Sequence, residues 1–386
     1  MKQTLILIIT VLMMGGAGSP LLPGVACAFH EGGEGYCEGC HLMREVANNQ
    51  FEGTSGTFAA QVDGHSLVGS DPSSTCLRCH AKAGTFYNVF SNDGSIFTPG
   101  GDFYWLKKTF TRTYYGIVYK SLDDSHGHNI IAAEYGLIAD RMLTLSPGGI
   151  YPSAAMGCTS CHNPHGLIAD DHNYSKDLPF PEIGNFRLLG GIGYSGGNQA
   201  TGLTFNYPAP VAVADSKDWA ETDYNHTAYG SGMSEWCGNC HDRFLSDKNK
   251  HTSGSNAKME NAIISNYNSY IRTGDISGSY GGTYFSLVPF ELGIINPTLL
   301  DPSSTSGPAP GKANVMCLTC HRAHASAFHD KGRWDFRATF IADSLPQYSD
   351  SGVTGNDVIN SYYGRNMLSE FGKYQRQFCN KCHLQD

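Results

Sequence analysis

The residues with the clearest chemistry are cysteines and histidines in six copies of one pentapeptide, Cys-x-x-Cys-His. The copies are CEGCH at 37–41, CLRCH at 76–80, CTSCH at 158–162, CGNCH at 237–241, CLTCH at 317–321 and CNKCH at 379–383. Two thiols three residues apart on one turn can form thioethers with the two vinyl groups of a porphyrin, and the adjoining histidine then ligates the iron. The pattern is the attachment signature of c-type haem.

Other uses of paired cysteines fit the pattern less well. A disulfide framework does not require histidine after every second cysteine, and a zinc site needs two pairs at a suitable separation. A redox Cys-x-x-Cys pair normally occurs once, near a βαβ unit. The sequence therefore predicts six covalently bound haem c groups. Their thioether positions are Cys37, Cys40, Cys76, Cys79, Cys158, Cys161, Cys237, Cys240, Cys317, Cys320, Cys379 and Cys382, and their proximal iron ligands are His41, His80, His162, His241, His321 and His383.

Ten further histidines are available for the far side of each iron, and their excess over six favours bis-histidine, low-potential haems over methionine ligation. Two of the ten stand three residues after a proximal histidine, namely His165 and His324. Histidines at this spacing on one turn point the same way. The second of each pair is therefore expected to reach a neighbouring haem, which predicts porphyrins packed in near contact.

The elements that must position these ligands are short. The chain has 386 residues, 46 of them glycine, and amphipathic periodicity is scarce. Residues 191–235 and 251–312 are rich in glycine, serine, asparagine, threonine and proline, which is typical of loop. We therefore predict a multihaem cytochrome c fold, mostly loop with short helices and few strands. The chain would wrap around a continuous row of haems, and these would supply much of its apolar interior.

Residues 1–28 have the features of a signal peptide, with Lys2, the apolar run 5–14 and Ala28 at a small-residue cleavage site. Residues 29–386 then form one hexahaem domain. Lipidation at Cys27 is an alternative, but Gly24 stands where such signals usually carry a branched apolar residue. The apolar run is too short to span a bilayer, and no later stretch is long enough. The net charge of −9 argues against nucleic acid or an anionic membrane as a partner.

The sequence resembles the OmcS-type hexahaem cytochromes, extracellular proteins of metal-reducing bacteria that polymerise into conducting filaments. The resemblance covers nearly the whole chain after residue 28. It rests on FHEGG at 29–33, DPSSTCLRCH at 71–80, TPGGDF and WLKKTF within 98–110, GHNI at 127–130, CTSCHNPHG at 158–166, LGGIGY at 189–194, AYGSGMSEWCGNCH at 228–241, CLTCHRAHAS at 317–326 and YQRQFCNKCH at 374–383. It implies a loop-built protomer, bis-histidine haems in a continuous chain and subunits stacked end to end.

By matching position, the resemblance implies distal ligands at His30, His128, His165, His251 and His324. One position departs from the family pattern. In the family a histidine three residues after the first proximal ligand binds a haem of the adjoining subunit, and here that residue is Arg44. Arginine stays protonated and cannot ligate iron. His65 is the leading replacement; the alternatives are His126, His172, His226 and His329, or a five-coordinate or methionine-ligated haem.

These observations predict a secreted electron-transfer protein rather than an enzyme, exported through the periplasm to the cell surface or beyond. Its donors would be outer-membrane or periplasmic cytochromes, and its acceptors Fe(III) or Mn(IV) oxides, electrodes or partner cells. Self-polymerisation into a filament follows from the resemblance, not from composition. Two alternatives stay open: a multihaem reductase with one open haem site, and a monomeric periplasmic electron shuttle.

Overall fold

The computed structural model describes residues 37–41, 67–81, 87–166, 185–196, 201–214, 220–246 and 251–384. The predicted signal peptide lies outside these ranges, as do His30, Arg44, His65 and His172. Within them the chain forms short α-helices, two small sheets and many single 3-10 turns, joined by loop. The predicted architecture, mostly loop with short helices and few strands, is confirmed.

The α-helices are one to three turns long. They are α1 (Cys37–Cys40), α2 (Pro72–His80), α3 (Met233–Cys237), α4 (Asp242–Ser246), α5 (Asn261–Ser269), α6 (Cys317–Cys320), α7 (Gly355–Asn360) and α8 (Met367–Phe371). The start of α2 follows from its sequence, since Asp71 accepts a hydrogen bond from the amide of Ser74 at 2.7 Å and Pro72 fills the first helical position. Among the described residues, no helix combines the length and the apolar character that crossing a membrane requires.

Both sheets are antiparallel pairs. Strands β1 (Phe110–Tyr114) and β2 (Ile117–Ser121) form a hairpin whose two loop residues, Tyr115 and Gly116, have φ angles of 47° and 76°. Positive φ at both positions is what a tight type I′ turn between twisted strands requires. Strands β3 (Val211–Val213) and β4 (Ala228–Ser231) form the second pair.

The interior contains a cluster of buried apolar side chains that come mostly from loops and 3-10 turns. Trp105 and Trp334 are each 1% exposed, and Phe110 and Tyr267 are fully buried. The sequence predicts that porphyrins supply much of the apolar interior. The structure shows that this aromatic cluster also forms part of that interior. Side chains contributed by loops follow no fixed period, so the sequence pattern carried no signal for the cluster.

Candidate haem sites

Four of the motifs form one tight turn that brings both cysteines and the histidine together. In each, the amide of the histidine donates a hydrogen bond to the carbonyl of the first cysteine, at 2.9–3.1 Å; these are the motifs ending in His162, His241, His321 and His383. A bond of this span places the first cysteine and the histidine one helical turn apart. The two thiols and the imidazole therefore lie on one side of the turn, as attachment to a porphyrin edge requires.

Four motif histidines face a second imidazole across a gap that fits an iron atom. The ring centroids lie 6.1 Å apart in His41–His165, His128–His241 and His251–His383, and 6.3 Å apart in His162–His324. An imidazole nitrogen binds a transition metal at about 2 Å and lies about 1 Å from its ring centroid, so two axial imidazoles have centroids about 6 Å apart. The four pairs match this spacing.

The two histidines that follow a motif at a spacing of three residues each face a different motif. His165 lies opposite His41 of the first motif, not His162, and His324 lies opposite His162 of the third motif, not His321. The segment 162–165 thus contributes imidazoles to two facing pairs, and the segment 321–324 contributes His324 to one of them. This arrangement ties the first, third and fifth motifs together.

Six histidines of the haem sites have one ring nitrogen, Nδ1, close to a backbone carbonyl. Nδ1 lies 2.7–3.0 Å from a carbonyl oxygen in His80–Tyr87, His128–Ala323, His162–Arg187, His241–Pro147, His251–Thr252 and His321–Asp330. A carbonyl oxygen only accepts, so Nδ1 carries the proton and the lone pair lies on Nε2. Histidines that ligate metals are oriented in this way by their surroundings.

Burial favours the neutral imidazole at four of these histidines. Burial lowers the pKa of His324 to about 3 and that of His241 to about 4, and it lowers the pKa of His128 and His162 as well. A neutral imidazole is the form that binds a metal. Glycine at position 100 allows the backbone to pass close to the imidazole of His324, because a Cβ atom at that position would lie 2.8 Å from its Nδ1.

Three other histidines, which the sequence left open as ligands, have both ring nitrogens engaged. Nε2 of His126 lies 2.7 Å from the hydroxyl of Ser121, and its Nδ1 lies 3.0 Å from the carbonyl of Trp105. His226 places its two nitrogens 3.0–3.1 Å from the carbonyls of Ser304 and Thr227, and His329 places its own against Arg337 and Asp330. These contacts leave neither His126 nor His226 with a nitrogen for iron, and they place Arg337 2.8 Å from Nε2 of His329.

The cysteine thiols of successive motifs interact in pairs that follow the order of the sequence. Such pairs occur between the second and third motifs, the third and fourth, the fourth and fifth, and the fifth and sixth. In each pair the second thiol raises the pKa of the first, and the pairs are Cys76–Cys158, Cys161–Cys240, Cys237–Cys317 and Cys320–Cys382. Two of these steps also share a hydrogen bond. Ser73 accepts from the amide of Cys158 between the second and third motifs, and Ser234 accepts from the amide of Cys317 between the fourth and fifth. Porphyrins attached at these thiols would form one row.

One side chain stands in the gap of a facing pair. Nζ of Lys331 lies 3.0 Å from Nε2 of His128, the atom that would bind iron. Burial lowers the pKa of this ammonium, and neighbouring cysteines oppose that shift. Iron bound at His128 requires the flexible lysine side chain to move aside.

The distal ligands expected for the two remaining motifs, His30 and His65, lie outside the described residues. On the fifth motif, the Phe336 ring meets the His321 ring edge to face, with centroids 5.5 Å apart and an interplanar angle of 89°. No motif or spacing in the sequence indicates this aromatic neighbour.

Comparisons with known proteins identify relatives of this chain. No family model matches the chain. The chain is 36% identical over 414 aligned positions to the C-type cytochrome OmcS of Geobacter sulfurreducens, covering 94% of this chain and 95% of that protein. Two solved structures of relatives cover 93% of this chain and 100% of theirs: the OmcS nanowires of Geobacter sulfurreducens, with 34% identity and a TM-score of 0.75, and the Outer Membrane Cytochrome S filament from the same organism, with 35% and 0.76.

Attachment turns for covalent haem, with imidazoles paired across iron-sized gaps, define a c-type cytochrome. The match along nearly the whole length of both sequences narrows the class further. The chain belongs to the OmcS family of c-type cytochromes.

Proposed function

We propose that this chain is the protomer of an extracellular electron-conducting filament and that each of its six motifs carries one haem c. When bound, each haem supplies an iron that takes up and releases one electron. The observation that carries the proposal is the set of four facing imidazole pairs at 6.1–6.3 Å, each joining a motif histidine to one from another segment.

The axial ligands follow from those pairs. Each of the four has one motif histidine as proximal ligand and His128, His165, His251 or His324 as distal ligand. The other two distal ligands predicted from the sequence, His30 and His65, are then left for the second and fifth motifs. The twelve motif cysteines form the thioethers. The chain's part is to orient imidazoles such as those of His128 and His241, whose Nδ1 atoms lie against backbone carbonyls, and to bury them so that the pKa of each is lowered.

The order of the haems follows from the thiol neighbours. Cysteines of successive motifs interact electrostatically from the second motif to the sixth, so the haems would form a row in sequence order. The relatives whose structures match are described as nanowires and as a filament. End-to-end stacking of this chain would extend the row from one subunit to the next.

The remaining parts of the proposal concern location and partners. Residues 1–28 direct export and are removed, leaving 29–386 as the hexahaem domain outside the cell. Electrons would arrive from outer-membrane or periplasmic cytochromes and leave to metal oxides, electrodes or partner cells. The conduit would therefore act without converting a substrate of its own.

Material shed by the producing cells provides the test. We expect its intact mass to equal residues 29–386 plus six haems, its spectrum to show low-spin iron, and electron microscopy to show filaments containing a continuous row of haems. Single subunits only would reduce the proposal to a diffusing shuttle. A stable high-spin haem that binds small ligands would replace it with the reductase alternative.

A further inference from the structure

Three charged side chains form a buried triad beside the fifth motif. Glu221 accepts a hydrogen bond from Arg322 at 2.7 Å and from Arg333 at 2.9 Å, both on Oε2. The side chains of Glu221 and Arg333 are fully buried, and that of Arg322 is 3% exposed. Water therefore screens these charges little.

The two arginines of the triad lie next to the turn that carries the fifth haem attachment site. Arg322 follows His321 directly in the chain, and the amide of Arg333 donates to the carbonyl of Cys320 at 2.8 Å. Nε of Arg333 donates to the carbonyls of Leu318 and His321, at 2.7 and 3.2 Å. The guanidinium of Arg333 thus contacts the backbone of the proximal ligand itself.

The charges in the triad do not cancel. Burial alone would raise the pKa of Glu221, but Arg333 and Arg322 outweigh it and hold that pKa below its ordinary value. Arginine stays protonated in proteins, so two positive charges face one negative charge. Nη2 of Arg333 is buried with no hydrogen-bond partner among the described residues, so part of this positive charge has no protein acceptor there.

We propose that the Glu221–Arg322–Arg333 triad raises the reduction potential of the haem attached at 317–321. The inference rests on the proposed function in requiring that this motif carries haem. Reduction adds an electron to the iron, and a fixed positive charge close to the proximal ligand stabilises the reduced form. Because the charge is buried, its effect reaches the iron with little loss to solvent.

The second motif offers a comparison within the same chain. It also contains an arginine, Arg78, but that side chain is 47% exposed and lies 3.4 Å from Glu134. Solvent and its acidic neighbour both weaken its field. The triad should therefore make the fifth haem a site where electrons reside longer than on the haem of the second motif.

The test is a potentiometric titration of the full haem-loaded protein, followed by its visible spectrum. In Arg322→Gln we expect the reduction potential of one of the six one-electron components to fall by about 59 mV. This shift corresponds to a change of about tenfold in the ratio of reduced to oxidised haem at a fixed potential. In Glu221→Gln the same component should move to higher potential. Arg322→Lys, which keeps the charge, should restore the wild-type value, and the matched control Arg78→Gln should shift its component far less.

Opposite shifts from the two glutamine variants are the decisive result, because a loosened structure would move the component in one direction for both. Shifts of the same sign, or a lysine variant that behaves like Arg322→Gln, would overturn the inference. Should Glu221→Gln fail to assemble, the glutamine and lysine variants at 322 decide between charge and structure. A wild-type protein without six haems would instead refute the proposed function, so the two failures can be told apart.

Discussion

The backbone amide of Cys317 donates a 2.9 Å hydrogen bond to the hydroxyl of Ser234, which joins the fifth haem motif to the start of the fourth. The amide of Cys158 makes the same contact with Ser73, at 3.1 Å, between the third motif and the second. Both serines stand three residues before the first cysteine of their motif. The same contact between two successive motifs therefore occurs twice in the protein, although the two pairs of motifs share no overall sequence similarity.

The Ser234 contact should contribute measurably to stability. Ser234 is fully buried, so Ser234→Ala leaves the Cys317 amide without its acceptor. We expect a loss of about 1 kcal/mol in the free energy of unfolding, measured by guanidinium denaturation of the haem-loaded protein. Ser277→Ala removes an exposed serine bonded to Asp275 and is the control. Equal effects of the two substitutions would contradict the role assigned to Ser234.

Replacement of a single distal histidine should change the spin state of a single haem. His128→Ala removes the imidazole that faces His241 at 6.1 Å, so one of six irons should become high-spin or bind an external ligand. His126→Ala is a matched control two residues away, because its nitrogens are engaged by Ser121 and Trp105. Electron paramagnetic resonance of the oxidised proteins distinguishes them. A high-spin signal in the His126 variant, or none in the His128 variant, would refute the assignment.

The same two histidines show how far the sequence could predict the site. The haem motifs are chemical signatures with fixed spacing, so their cysteines and histidines could be predicted as haem ligands from sequence alone. His126 and His128 both lie in one loop, and only the tertiary contacts of their ring nitrogens separate them. The family resemblance favoured His128, whereas spacing and composition could not choose.

The buried triad could not be predicted for a related reason. Glu221 meets Arg322 across 101 positions of sequence and Arg333 across 112. No local pattern marks a glutamate in a loop as the partner of distant arginines. Loop-built folds place such contacts through the path of the whole chain, which periodicity does not record.

The hairpin β1–β2 should depend on one bidentate ion pair. Nε and Nη2 of Arg112 lie 2.8 and 3.0 Å from the two carboxylate oxygens of Asp350, whose side chain is 1% exposed. Arg112→Lys keeps the charge but loses the paired geometry, and we expect a loss of about 2 kcal/mol in unfolding free energy. Arg272→Lys, in an exposed pair with Asp275 at 3.9 Å, should change it by less than about 0.5 kcal/mol. Comparable losses in both variants would show that the bidentate geometry is unimportant.

Glu291 should make the stability of the protein depend on pH between about 4.5 and 7. Burial, with a smaller contribution from Glu235, raises its pKa from 4.5 to about 7, and Oε1 accepts from the amide of Met233. The folded protein therefore holds this proton more tightly than the unfolded chain, so the stabilisation is complete below pH 4.5 and is lost as pH rises through 7. Glu291→Gln does not titrate, and the wild type should lose on the order of 3 kcal/mol relative to it across that window. Guanidinium unfolding at several pH values measures the difference, with exposed Glu260→Gln as the control for a lost surface charge. A difference that is constant with pH would mean that Glu291 does not bind the proton.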